Sequence, residues 1–510
     1  MMAQSGSLLW FARHELRLAW RDWLAMMTGG HRVRLLGFLF GGLAIYALLH
    51  LIAAAIIAPA AANGIAPDKP TLAMVTGVGL LFFSVMLSQA LEAITRVYYA
   101  RSDLDLILSS PASTRTLFAV RTGAVALSTA ILSALLASPI INMLALFAGT
   151  HWLWAYLVLP ACSALAVAIA MALTMGLFRL VGPKRTRLIA QILAAIVGAG
   201  FVIGIQAVAI LSFNTYSRFA LFSSPDLLAA LPPPDHRLWL PARAVMGDAV
   251  SAVPVIASFL AALALAMLLF SPSYGRLAVA AASIGQSTRH RTRTGTYFTG
   301  RSQAQVLRYK EWRLLQRDPW LLSQTLMQML YLLPPALLLW VNYGEGAGAF
   351  IVIVPVLVMA SGQLAGGLAW LALSGEDAYD LVATAPIPAR SVLRAKVEAV
   401  LVAVAAILAP LLALLALNSW TMALATGICS ILSAASATAI QVWFRIPMRR
   451  AMFRRRQVAS RAATISEAFA SITWAGTGAL LSVGSWVAGV TAIIALVVLG
   501  IARSLSPHRS

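Results

Sequence analysis

Reactive side chains are sparse in this chain, so the first question is what chemistry their spacing allows. A loop that cradles phosphate, Gly-x-x-x-x-Gly-Lys-Ser/Thr, needs a lysine, and the only lysines are Lys69, Lys184, Lys310 and Lys396, none in that setting. ATP hydrolysis by the chain itself is therefore not expected. His14, His31, His50, His151, His236, His290 and His508 are scattered without metal-ligand spacing. There is no Gly-x-Ser-x-Gly and no acid/base dyad, so no catalytic residue, cofactor or metal site is expected, and the chain does not read as an enzyme. The carboxylates Glu92, Glu398 and Glu467 fall near the ends of apolar stretches, with Arg96 and Arg394 as neighbours for the first two. A proton relay would instead place carboxylates or histidines in mid-membrane.

The charged residues that do form a pattern form it twice. Glu15, Arg17, Leu18, Arg21 and Asp22 recur as Glu311, Arg313, Leu314, Arg317 and Asp318 at a constant offset. Asp105, Leu106, Pro111 and Arg115 recur as Asp380, Leu381, Pro386 and Arg390, again at one offset. The period is about half the chain, so the repeat is a whole domain. Around the first motif, Trp10, Phe11, Leu16, Trp20 and Trp23 interleave with Arg13, Arg17 and Arg21. Such a segment suits the headgroup layer, with tryptophan at the acyl boundary and arginine toward anionic lipid; a solvated juxtamembrane helix is the alternative.

These motifs must be carried by membrane spans. Hydrophobic residues make up 60% and charged residues 11%, with a mean hydropathy of +0.84. That is far from the roughly 25% charged share of soluble domains. Apolar runs of span length fall at about 34–58, 72–98, 116–146, 153–178, 188–213 and 249–271, then 322–342, 349–373, 391–416, 420–443, 463–484 and 486–503. The expected fold is thus an all-α polytopic membrane protein of about 12 transmembrane helices, arranged as two parallel six-helix repeats. The first half is expected over 1–275 with a surface helix at 8–27, a flexible linker over 276–305, and the second half over 306–510 with a surface helix at 306–320. The first apolar run is too long for a signal-peptide core and reads as a retained span.

The net charge of +21 raises nucleic-acid binding as a possibility, and its distribution argues against it. With the N-terminus inside, only Lys69, Arg218, Arg237 and Arg243 fall outside. That asymmetry is the positive-inside bias, and it predicts both termini in the cytoplasm. The fourth-to-fifth connections are basic for the same reason: Arg179, Lys184, Arg185 and Arg187 in one half, Arg445 to Arg461 in the other. Cys162 and Cys429 read as two small buried residues at nearly equivalent places.

Spans two and three of each half are joined by short connections over 101–115 and 376–390, acidic at the front and ended by proline. Each reads as a short cytoplasmic helix with a Leu/Ile/Val face suited to docking, with Ser/Thr available to cap the next span. The halves differ in the outward segment 214–248, rich in proline and aromatics, whose counterpart near Ser485 is almost a bare turn. Short re-entrant helices buried against protein and a plain surface loop are both compatible with it.

In this layout the chain resembles the permease subunits of ABC exporters related to the drug, polysaccharide and antibiotic exporters. The sequence-specific part of the resemblance is Arg-Asp at 21 and 317 and the Asp-Leu, Pro and Arg series from 105 and 380. It implies two fused permease halves with amphipathic interface helices carrying Arg17, Arg21, Asp22, Arg313, Arg317 and Asp318. It further implies coupling helices in which Asp103, Asp105, Leu106, Leu108, Asp377, Asp380 and Leu381 contact a separate ABC-type ATP-binding subunit, in two copies. Export of a hydrophobic or amphipathic solute or lipid from a bacterial inner membrane would follow. The alternative is a 12-span secondary transporter driven by an ion gradient.

Overall fold

The computed structural model describes residues 8–28, 32–62, 64–99, 113–213, 225–274, 302–317, 348–373, 384–445 and 461–506, with 277, 300, 330 and 332 singly. Among these residues the chain is helical, with no strand. In the first part run α1 (Leu8–Thr28), α2 (Arg32–Ala62), α3 (Lys69–Tyr99), α4 (Thr114–Phe147), α5 (Ala155–Phe213), the short α6 (Pro225–Ala230) and α7 (Leu240–Val245), and α8 (Ala249–Phe270). Then follow α9 (Gln303–Arg317), α10 (Gly348–Leu373), α11 (Ala389–Asn418), α12 (Trp420–Trp443), α13 (Arg461–Ser482) and α14 (Val487–Leu505). Two compact units emerge, one comprising residues 1–205 and 217–291 and the other 206–216 and 292–510.

Among the described residues, ten helical segments are long and apolar enough to cross a membrane, by length and composition. They match ten of the twelve expected runs. The run at 322–342 lies largely outside the described residues. The run at 463–484 is α13, a helix of the right length that is too polar to count among the ten.

The physical reason is visible in its packing. α13 lies against α10, α12 and α14 and turns Ser466, Glu467 and Ser471 inward, while Ile465, Phe469 and Ile472 on its other face stay more than half exposed. α8 does the same, presenting Val250, Leu268 and Leu269 outward at 84%, 75% and 61% exposure and burying Ser251 and Ala252. Helices that hide hydroxyls and display branched aliphatics suit a hydrocarbon surrounding, where small and polar residues mediate helix contact. Gly362 of α10 is the tightest such contact: a Cβ there would strike the hydroxyls of Ser433 and Ser471.

α5 is two spans rather than one. At Gly182 the backbone takes φ 71 and ψ 168, a region almost confined to glycine that costs other residues about 1–3 kcal/mol, and Pro183 then opens the next helical turn. The chain reverses there. Phe178 meets Tyr98 at the end of α3, with ring centroids 5.3 Å apart, whereas the carbonyl of Ala194 accepts from Ser88, nearly three turns back along the same helix. Arg179, Arg185 and Arg187 lie exposed about the reversal.

The outward segment forms a small cap. Trp239, Ala242 and Met246 are buried with Leu72, Ala73 and Trp152, and Ile65 and Leu231 pack against them. Trp239 donates its Nε1 proton to the carbonyl of Pro233 (3.1 Å), Arg243 bonds the Pro234 carbonyl (2.7 Å), and Lys69 reaches the carbonyls of Leu228 and Leu231 at the end of α6. In the second unit a bare turn at Gly484 (φ 71) joins α13 to α14, as the sequence suggests.

Candidate functional site

The docking residues expected from the sequence, Asp103, Asp105, Leu106, Leu108, Asp377, Asp380 and Leu381, lie outside the described residues, as do most of the linker 276–305 and Asp318. Arg17 and Arg21 are exposed on α1, and Arg313 is exposed on α9 with its guanidinium over the Tyr309 ring at 5.0 Å. Asp22 and Arg317 belong to α1 and α9, and their side chains lie outside the described set. What the structure does bring together is the ground on either side of each connection expected to dock, where α3 ends and α4 begins and where α10 ends and α11 begins.

In the first unit α1 packs along α4. Phe11 is buried, and one turn on Glu15 approaches Arg121, with Oε1 to Nε at 3.6 Å. Arg121 lies two turns into α4 and is 3% exposed. It also donates to the hydroxyl of Tyr274 (3.2 Å), which follows the short turn Ser271–Ser273 at the end of α8. Tyr274 is itself wedged between Tyr98 of α3 and Phe118 of α4, at centroid distances of 5.3 and 4.9 Å. A buried guanidinium needs such a carboxylate and acceptor, because an isolated buried charge is strongly unfavourable.

The second unit repeats this with different atoms. α9 packs along α11, Leu307 takes the place of Phe11, and Glu311, 2% exposed, lies 3.2 Å from the Nζ of the adjacent Lys310 and 3.9 Å from that of Lys396. Lys396 in turn donates to the carbonyl of Ala372 in the last turn of α10. Glu311 stands against Glu15 at the offset of the first repeated motif, and Lys396 against Arg121 at the offset that relates Pro111 to Pro386. The two pairs are thus one duplicated constellation. A further tie exists only here among the described contacts: Glu398 accepts from both Arg308 (2.6 Å) and Arg394 (2.8 Å), and the bond pushes the Arg308 pKa above its ordinary value.

Sequence reasoning singled out Glu15 and Glu311 but not Arg121 or Lys396. The signal was present, a basic residue two turns inside an apolar run at the same offset in both halves. Glu92 pairs with Arg96 (3.3 Å) and Glu398 with Arg394, as expected, while the Arg308 contact was not foreseen. Capping of span three by Ser/Thr is not what occurs. Ser113 occupies the position before α4 without a side-chain bond, and Pro388 stands there before α11.

Two other polar constellations lie within the spans. Tyr46 and His50 of α2 face Ser138 and Asn142 of α4 as successive rungs: hydroxyl to hydroxyl at 2.7 Å, then His50 Nε2 to Asn142 Nδ2 at 3.1 Å. The Tyr156 hydroxyl donates to the Asn142 amide oxygen (2.7 Å). His151 abuts Gly149 and Gly247, and His236 accepts from the Leu238 amide. No group able to hold a metal forms among the described residues. In the second unit Gln441 of α12 donates to the buried Glu467 of α13, and Trp474 donates to Ser436 (2.9 Å). No known protein family, curated protein or solved structure matches this chain.

Proposed function

We propose that the chain is the permease of an ATP-driven ABC exporter, with two fused halves that work with a separate ATP-binding subunit. The single observation that carries this reading is the duplicated pair built on a buried cation, Glu15 with Arg121 and Glu311 with Lys396. Each ties an amphipathic helix to the root of a docking connection. A permease driven by a soluble partner needs a firm shoulder where that partner pushes, and the repeat supplies one in each half.

On this reading both termini face the cytoplasm of a bacterial inner membrane, and two copies of the ATPase dock beneath 101–115 and 376–390. Their closure on ATP rocks the spans and releases a hydrophobic or amphipathic solute or lipid outward. The chain contributes no catalytic residue and no cofactor. Replacing Leu106 and Leu381 by Arg is expected to abolish co-purification of the ATPase and to end transport. Retained association and transport in that double variant would overturn the reading.

One observation favours the ion-driven alternative. Glu467 is buried inside a helix bundle beside Gln441, and the His50 ladder adds a titratable group within a span. Transport that survives ATP depletion but stops on collapse of the proton gradient would decide for it.

A further inference from the structure

We propose that Arg121 and Lys396 are positioning residues, each clamping an amphipathic helix to span three of its half so that helix and docking connection move as one body. The inference rests on the permease reading for the purpose of that movement, but not for the existence of the clamps. Arg121, Glu311 and Lys396 are buried and Glu15 is partly so, both cations lie within two turns of the start of span three, and both pairs occupy equivalent places in the repeat. A carboxylate held against a buried cation resists separation, because parting them leaves each charge in a poorly solvating setting.

The two clamps grip span two by different means. In the first half Arg121 reaches Tyr274, whose ring packs at a tilt against Tyr98 at the end of α3, so the grip passes through the segment that leaves α8. In the second half Lys396 binds the Ala372 carbonyl at the end of α10 directly. Span two's last turn runs straight into the connection in each case. The second clamp therefore couples its connection without an intermediary, whereas the first also secures the exit of the sixth span. Lysine and arginine are not interchangeable here: the planar fork of Arg121 serves a carboxylate and a hydroxyl together, and the compact ammonium of Lys396 fits beneath a helix terminus.

The test uses the full chain in lipid nanodiscs with Cys162 and Cys429 replaced by Ala. Spin-label pairs are placed at exposed sites, Arg13→Cys with Arg115→Cys for the first clamp and Gln316→Cys with Arg390→Cys for the second. Electron–electron distance distributions are expected to be narrow in this background and to broaden at least twofold with Arg121→Met or Lys396→Met. Lys396→Arg serves as a charge-keeping control that folds if Lys396→Met does not, and it should broaden the distribution less than the neutral variant. Distributions that stay narrow in both neutral variants would overturn the clamps. With the ATPase present, Lys396→Met is expected to keep ATP hydrolysis within twofold while transport falls at least tenfold. Broad distances with full transport would overturn the positioning role. Failure of an ATPase to associate with the unaltered chain bears on the permease reading and leaves the distance measurement standing.

Discussion

A residue-scale feature, the burial of Arg121, organises much of the first unit. Its guanidinium lies 3.6 Å from the Glu15 carboxylate and donates to the Tyr274 hydroxyl, and Tyr274 is fully buried against Tyr98 and Phe118. Removing only the hydroxyl with Tyr274→Phe preserves the ring packing and leaves a buried charged donor short of an acceptor. The expected cost is about 1.5–3 kcal/mol, read as a lowered unfolding midpoint in detergent. Adding Arg121→Met to Tyr274→Phe should cost less than the sum of the two single changes, because the unsatisfied donor goes with it. The carboxylates were legible in the sequence as a repeated motif. Their cationic partners were not, because a single arginine or lysine inside an apolar run reads the same whether it faces protein, lipid headgroup or water.

At the scale of the element, helix ends and breaks follow local chemistry closely. Asp248 opens α8 by accepting from the amide of Val250 (3.1 Å) and from the Ser251 hydroxyl, and the latter bond leads in holding its pKa below the usual carboxylate value. A depressed pKa means that the cap contributes stability above the ordinary carboxylate range, about pH 4, and loses it as pH falls through the depressed value. Amide exchange over residues 249–255 is therefore expected to quicken in Asp248→Ala at neutral pH, by an opening free energy of about 1 kcal/mol, and the difference should shrink in acid. Identical exchange in variant and parent at pH 7 would contradict the cap. Gly182 and Pro183 likewise make the break between spans four and five, expected there only as a basic connection. α13 is the opposite case, since its polar face is meaningful only once α10, α12 and α14 surround it.

For the molecule as a whole, the two compact units have separate cores. One is centred on α10, α11 and α12, and another on α3, α4 and α5. A defect in one is expected to stay there. Gly362→Ala forces a methyl group onto Ser433 and Ser471 and should cost about 1–3 kcal/mol. Hydrogen exchange is expected to accelerate in α10, α12 and α13 and to remain unchanged in α3, α4 and α5. Acceleration throughout would show that the units unfold as one. Replacing Ser433 and Ser471 by Ala removes both struck hydroxyls and should recover part of the loss.

Composition alone determined that this chain is helical with segments of membrane length, and the repeated motifs led to the expectation of two related parts. Sixty per cent hydrophobic residues in runs of twenty and more leave a helix as the structure able to satisfy its own backbone in hydrocarbon. Duplicated motifs survive as text whatever the fold does with them. Only the tertiary structure decided that Glu15 meets Arg121, that Glu311 meets Lys396, that α13 is a polar-faced helix packed on three others, and that Tyr46 and His50 lie as rungs against α4. Those facts depend on which face of one helix meets which face of another. Hydropathy along a single strand of sequence is nearly the same for a face turned to lipid and a face turned to a neighbouring apolar helix, so the choice between them is made in packing.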